Sequence, residues 1–486
     1  MAPYGINPSA ADILEDEFHD APGFQEQHSE QWSFQRVLTY LIGLHLPEVP
    51  SRQQENQRHR TSRSPAAASS QQSVSILSHW AFWVIVVAAM LLTWDPMQIR
   101  KMVALYMDFH PHFCDVGVEC CRPVPDIDDW PADPANRLLG TQLFSTIGVP
   151  GPETLVWDLQ GRGPYTGVAD GRVIRWNEEN GSWETFAYVS PYWTEELCTN
   201  QDSRKYQENL ALERICGRPL GIKFHPVSGA LFIADAYFGL AMVGSEGGQA
   251  DLFSNESEGV THKFTNDLDI HEDGAIYYTV SSLRRTRSEC QILLMEGDNS
   301  GRLLKYDPET KNTTVLLHNL RYPNGVALSK DGNFLLIAST TNNRVWRYWL
   351  QGSKTGTLED FADQPGYPDN VRSTEDGDFW VAIHSRRTNT HVWLCHHQRI
   401  AHFIYPFQQT YETLGRFIAG KPTPMAIKYD KFGVVIDVLE DRLQSSHAQL
   451  LSNVQERDGK IWLSSVFTPL ISFYVLPKPS HNRSLD

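Results

Sequence analysis

From Asp170 onward the chain repeats one local unit, a two-residue turn closed by glycine and followed by a short apolar run. The turns stand at Asp170-Gly171, Ser228-Gly229, Asp273-Gly274, Asp331-Gly332, Asp376-Gly377 and Asp458-Gly459. GAIYYTV, GNFLLIAS, GDFWVAI and GKIWLSSV are the clearest of the runs. Successive turns lie 58, 45, 58, 45 and 82 residues apart. A period of about 40–50 residues is the length of one four-stranded blade, so the expected fold is an all-β propeller. A β-sandwich also uses short strands and Asp-Gly turns, but gives this slow period less easily. The last, long gap leaves room for an insertion around His391–Lys421, and long helical periodicity is absent from Gly161 onward.

Upstream, the composition changes. Residues 1–73 are polar and read as a disordered cytosolic segment. Trp32, Phe34, Val37, Leu38, Leu41 and Leu44 recur within it at near-helical spacing, as in a short membrane-surface helix or an isolated one. Val74–Trp94 carries no charge and is long enough to cross a bilayer. Arg52, Arg58, Arg60 and Arg63 precede it, and only Arg100 and Lys101 follow closely. The expectation is a transmembrane signal anchor with the N-terminus in the cytosol. That makes the chain a single-pass type II membrane protein of the secretory pathway, in endoplasmic reticulum, vacuole or plasma membrane. A luminal stalk at 95–140, the propeller at 141–476 and a tail at 477–486 complete the order. Sequons at Asn180, Asn255, Asn312 and Asn482 agree with a luminal or extracellular propeller.

Lys and Arg number 42 against 58 Asp and Glu, a net charge of −16. Such a chain has no electrostatic footprint for nucleic acid. Cys114, Cys120 and Cys121 cluster after the anchor without a second ligand pair at zinc-finger spacing, so a local or intermolecular disulfide competes with metal there.

Cys216–Leu240 reads CGRPLGIKFHPVSGALFIADAYFGL. Two apolar runs, Leu220–Phe224 and Ala230–Ala234, flank a turn at residues 225–229, which predicts a pair of adjacent strands. The CGRPLG and LFIADAYFGL phrases resemble the strictosidine synthase-like family, including the adipocyte plasma membrane-associated protein-like branch. The likeness runs from about Gly151 to Phe473. It implies a six-bladed propeller related to gluconolactonases and paraoxonases, and a disulfide between Cys198 and Cys216.

Glu153, Asn266, Asn324 and Asp369 each introduce an apolar strand, and equivalent strand starts in a propeller converge on the central channel. Two carboxylates with amide oxygens form a hard-oxygen site suited to Ca²⁺ and acceptable to another divalent cation. Strand capping without metal is the competing reading. The resemblance matches these positions to the metal ligands of the related lactonases and adds Asn370. It also implies two departures. Leu220 stands where paraoxonases place a histidine, and Ser452 stands where true synthases place the catalytic glutamate. Val280 and Ser339 replace acidic residues common in the family. His262, His271 and His384 read as surface or hydrogen-bonded loop histidines, and Glu456 and Asp458 as solvated turn residues.

The expected function is a divalent-metal-dependent hydrolase of ester or lactone substrates, arylesterase-like. A non-catalytic luminal binding propeller is the alternative. Condensation of an amine with an aldehyde, on an alkaloid-like substrate, ranks third.

Overall fold

Glycines at positive φ, such as Gly274 (86°) and Gly377 (91°), let each strand fold back on the last. Six blade sheets and one two-stranded hairpin, Glu256–Ser257 with Val260–Thr261, result among the described residues. Within each blade the main strands are antiparallel and follow chain order, apart from one added strand in blade 1 and one in blade 6. The computed structural model describes residues 130–145, 149–199, 206–387, 423–443, 446–448 and 450–477. The chain divides into two compact units, Met1–Met90 and Leu91–Asp486, and every described residue belongs to the second. The polar N-terminal segment, Val74–Trp94, the 114–121 cysteines, the 391–421 insertion and Asn482 lie outside the described residues. Among the described residues no helix is long and apolar enough to cross a membrane.

Blade 1 contains Leu155–Val156, Tyr165–Gly167, Arg172–Asn177 and Ser182–Tyr188, with Gly248–Gln249 added in parallel at its rim. Blade 2 contains Pro219–Phe224, Leu231–Asp235, Gly239–Val243 and Asp251–Ser254. Blades 3, 4 and 5 begin with the innermost strands Phe264–Ile270, Pro323–Leu328 and Gly366–Ser373. In blade 6, Asn453–Arg457, Lys460–Ser464 and Ile471–Val475 are joined at the outer edge by Gln142–Ser145. An early strand therefore completes the last blade and closes the circle.

The core is divided in the same way, with one apolar cluster at each blade interface. Between blades 4 and 5, for example, Phe334, Leu336 and Phe361 pack on Phe379, Val381 and Ile427. Blades 6 and 1 meet through Leu155, Ile174, Trp462 and Ile471, with Phe144 of the closing strand against them. Cys198 and Cys216 are bonded, with Cα atoms 5.8 Å apart. The bridge ties helices Glu195–Cys198 and Tyr206–Cys216 within the connection from blade 1 to blade 2.

Two expectations change. The turns at 228–229, 273–274, 331–332, 376–377 and 458–459 join the first two strands of blades 2 to 6, but Asp170-Gly171 joins the second and third strands of blade 1. Its first gap therefore measured unlike positions. Glu456 is not a solvated turn residue: it lies in the inner strand of blade 6 and accepts from Trp380 Nε1 (2.7 Å) and Lys428 Nζ (3.0 Å). Asp458, in contrast, is an exposed turn residue.

Candidate metal centre at the channel axis

In all six blades the innermost strand settles into regular pairing with a buried apolar residue. These are Leu155, Ile222, Leu268, Val326, Val371 and Val454, paired with Thr166, Ile233, Tyr278, Ile337, Val381 and Leu463. Two places before them stand Glu153, Leu220, Asn266, Asn324, Asp369 and Ser452. The ladder is irregular there in blades 2 to 5, between Pro219 and Gly221, Thr265 and Leu268, Pro323 and Val326, and Pro368 and Val371. Bulges of this kind re-aim a side chain. One ring of equivalent positions thus contains four of the five expected ligands and both expected departures, Leu220 and Ser452. Asn370, the fifth, adjoins Asp369.

The amides of the ring have a defined orientation. Asn266 Nδ2 donates to Ser281 Oγ (2.9 Å), whose own proton goes to the Pro323 carbonyl (2.8 Å). Asn324 Nδ2 likewise donates to Thr340 Oγ1 (3.1 Å), which donates to the Pro368 carbonyl (2.8 Å). Each hydroxyl has spent its single proton, so it can only accept from the amide. The amide nitrogen must face it and the amide oxygen must face away. Asn370 Nδ2 donates to Glu153 Oε1 (3.2 Å), and the Ser464 hydroxyl donates to the Glu153 carbonyl. These links leave Glu153 Oε2 and the Oδ1 atoms of Asn266, Asn324 and Asn370 buried without a hydrogen-bond partner among the described residues. Buried oxygens seldom lack partners, and each one left so is costly.

Charge is under strain in the same place. Burial pushes the Asp369 carboxyl well above its ordinary range, and neighbouring Glu153 adds to the shift; hydrogen bonds from Ser452 and Asn324 oppose it. Burial also raises Glu153, while Arg218 and Arg287 pull it back. Two desolvated carboxyls and three unpartnered amide oxygens fit a hard divalent cation. Among the described residues no three His, Cys, Asp or Glu gather as a metal cluster, because amides supply most of this donor set.

On one side of the ring a guanidinium links three blades. Arg372 Nη1 lies 2.5 Å from Asp267 Oδ2, and its Nη2 donates to Thr154 Oγ1 (2.9 Å). One guanidinium therefore joins blades 5, 3 and 1. On the other side, two residues before each ring position, stand Gly151, Arg218, Phe264, Tyr322, Tyr367 and Leu450. Tyr322 and Leu450 hold φ of 44° and 49°, a left-handed backbone that bulky residues rarely adopt outside constrained sites.

His262 and His271 fit the expected hydrogen-bonded loop and turn placements, whereas His384 lies within the strand Phe379–Arg386. His262 is buried against Ser257 Oγ (3.1 Å), and burial pushes its imidazole down to about 4. His271 alone sits at a turn, beside Asp273. His384 follows Ile383, which pairs with Pro368 beside the Asp369 bulge. Burial lowers it to about 4, and its Nδ1 has no partner among the described residues. Ser281 is fully engaged between Asn266 and Pro323, and Ser282 donates to Asp298 (2.5 Å), so neither is a free nucleophile. Val280 is core and Ser339 donates to the Arg321 carbonyl, so neither replacement leaves a free polar group.

The family model described as strictosidine synthase matches residues 266–353, and the strictosidine synthase-like N-terminal model matches residues 131–176. Protein STRICTOSIDINE SYNTHASE-LIKE 3 of Arabidopsis thaliana is 41% identical over 387 residues, spanning 79% of this chain and 95% of that protein. STRICTOSIDINE SYNTHASE-LIKE 13 of the same plant is 42% identical, spanning 76% and 91%. The strictosidine synthase of Catharanthus roseus is 30% identical, spanning 67% and 83%. Among solved structures, a gluconolactonase from Xanthomonas campestris is similar with a TM-score of 0.47 and 15% identity, covering 71% of this chain and 92% of that one.

Proposed function

The chain belongs to the strictosidine synthase-like family, and we propose that this member hydrolyses ester or lactone substrates with a divalent cation, Ca²⁺ foremost, held in the ring. The observation that carries this is the set of four buried, unpartnered oxygens on Glu153, Asn266, Asn324 and Asn370, with Asp369 beside them. Glu153 and Asp369 neutralise the ion's charge, and the three asparagines present oxygens whose direction the Ser281, Thr340 and Glu153 contacts fix. A cation so held supplies Lewis-acid polarisation of a carbonyl or acidification of a water. Arg372 links three blades on one side of the ring, which leaves the side of Tyr322 and Leu450 for the approach of substrate. His384 is neutral at pH 7 and accepts a proton at Nδ1. A base near 4 is weak at neutral pH, which makes proton transfer the slow point of this design.

Leu220 and Ser452 leave two ring positions without a proton-transfer group, and this favours a second reading, a cation-bearing propeller that binds a partner without turnover. Condensation of an amine with an aldehyde ranks below both. It needs a carboxylate at the Ser452 position for its proton transfers.

Thermal unfolding of the full-length protein with and without Ca²⁺, joined to an arylester and lactone screen, tests the proposal. We expect Ca²⁺ to raise the melting temperature, chelator to reverse it, and Asp369→Asn to remove both the response and any turnover. A cation response without turnover selects the binding reading, and an unchanged response in Asp369→Asn makes the ring a set of structural caps. We also propose the type II anchor at Val74–Trp94, supported by the exposure of Asn180, Asn255 and Asn312.

A further inference from the structure

Blade 6 offers the ring a serine where blades 1 and 5 offer carboxylates, yet it reaches both carboxylate residues. Its ring position, Ser452, is completely buried. Ser452 N–H donates to the Ser464 carbonyl (3.0 Å), and the Ser452 carbonyl accepts from Asn370 N–H (3.0 Å). The Ser452 hydroxyl oxygen accepts from Val466 N–H (3.2 Å). A backbone N–H can only donate, so the hydroxyl keeps its own proton to give. The group it hydrogen-bonds is the Asp369 carboxyl. In the adjoining strand, the Ser464 hydroxyl donates to the Glu153 carbonyl.

These bonds run unbroken from Asp369 and Asn370 of blade 5, through Ser452 and Ser464 of blade 6, to Glu153 of blade 1. Asn370 Nδ2 closes the circuit on Glu153 Oε1 (3.2 Å). Asp369 has a second hydrogen-bond donor in Asn324, but that amide is oriented by Thr340 (3.1 Å) and its oxygen belongs to the ring. Arg372 acts on Asp369 through its charge while its N–H groups serve Asp267 and Thr154. Among the described residues, Ser452 is therefore the side chain that hydrogen-bonds Asp369 without being a candidate ligand. A glutamate at this position, which the resemblance implies for true synthases, has no proton to give once ionised. It would also set a third negative charge beside Glu153 and Asp369.

We propose that Ser452 is a positioning residue of the cation site, and that blade 6 serves the ring by aligning the ligands of blades 5 and 1. A hydroxyl anchored by Val466 holds the Asp369 carboxylate in place, while the Ser452 and Ser464 backbone bond fixes blade 5 against blade 1 through blade 6. Partners of this kind orient a metal ligand before the ion arrives. The proposal rests on the cation reading of the ring and is indifferent to whether the bound ion hydrolyses anything.

Calorimetric titration of Ca²⁺ into the full-length protein reads the effect without turnover. Ser452→Ala should bind Ca²⁺ roughly tenfold more weakly than wild type. Ser452→Cys, whose thiol is a weak donor, should fall between them. Ser465→Ala loses a bond to the Leu450 carbonyl (2.6 Å) in the same segment but no bond to a ring ligand, and its affinity should stay within about twofold of wild type. Thermal unfolding adds a readout that a merely structural serine would not move: the melting temperature lost in Ser452→Ala should be larger in Ca²⁺ than in chelator. Unchanged Ca²⁺ affinity in Ser452→Ala, an equal weakening in Ser465→Ala, or equal melting losses with and without Ca²⁺ overturns the proposal and leaves the cation reading standing. Should Ser452→Ala fail to fold, Ser452→Cys decides, and wild-type affinity in that protein overturns it. A wild type that binds neither Ca²⁺ nor Mg²⁺ removes the cation reading, and the role of Ser452 falls with it.

Discussion

Asn370 Nδ2 donates to Glu153 Oε1 at 3.2 Å across 217 residues of sequence. Blade 5 and blade 1 are not neighbours in the circle, since blade 6 lies between them. Contact across that gap therefore requires both side chains to reach the axis, and it requires the circle to be closed.

Closure is the first thing to test. Phe144, on the closing strand, meets Trp176 (5.0 Å), Trp183 (6.3 Å) and Trp462 (5.1 Å) edge-on. Because Phe144 is only partly buried, Phe144→Ala should cost about 2 kcal/mol, below the range for a fully buried ring. If closure holds the ring together, Ca²⁺ should also bind more weakly to this variant. Calorimetric titration checks it, and full cation affinity in a destabilised variant would uncouple ring from closure.

Arg372 should be expensive to remove. Arg372→Met leaves Asp267 buried and facing no guanidinium, a loss of about 3 kcal/mol. Asp267→Asn in the same chain should recover part of it, because the unmatched charge is then gone. Urea unfolding of the two single variants and the double gives the coupling.

The bridge between Cys198 and Cys216 closes a loop of 18 residues. Cys216→Ser should lower stability by about 3 kcal/mol under the chain-entropy account and leave Cys198 open to alkylation. A melting temperature insensitive to the substitution would place the constraint elsewhere in that connection.

His262 gives the fold a pH dependence of known sign. Its pKa is near 4 when folded and near 6.5 when unfolded, so between those values the unfolded chain binds more protons. Stability falls as pH drops from about 6.5 toward 4, by at most about 3 kcal/mol. Asp235, pushed up to about 6 by burial, acts oppositely over much of the same window, since its ionisation as pH rises is the costly step. The informative quantity is therefore the difference between His262→Gln and wild type, which should shrink on acidification.

The proposed topology makes its own demand. Protease added to intact microsomes should trim only the segment before Val74, and endoglycosidase should reduce the mass through Asn180, Asn255 or Asn312. Digestion of the propeller in sealed vesicles would reverse the orientation.

Much of the fold was legible because glycine turns and apolar runs are local signals. The slow period survived even with Asp170-Gly171 out of register. The polar ring was legible in part, since Glu153, Asn266, Asn324 and Asp369 interrupt apolar surroundings. Leu220 and Ser452 were read only as departures, although the bulges and pairing place them on the same ring. What remained hidden depends on closure. No local pattern says that Arg218 is fully buried, that Arg372 reaches Asp267, or that Glu456 leaves its turn to hold Trp380 and Lys428.

The pairing of Gln142–Ser145 with Ile471–Val475 sets a timetable for synthesis. The first of these strands emerges from the ribosome long before the second exists, an interval on the order of tens of seconds at ordinary elongation rates. Throughout it, the strand edge stays unpaired and Phe144 lacks Trp462, although Trp176 and Trp183 follow it closely in synthesis. Nor do the ring residues have an axis to converge on, so no nascent intermediate can assemble the proposed cation site. A chaperone able to shelter that early strand would govern yield, and truncated products would be released inert.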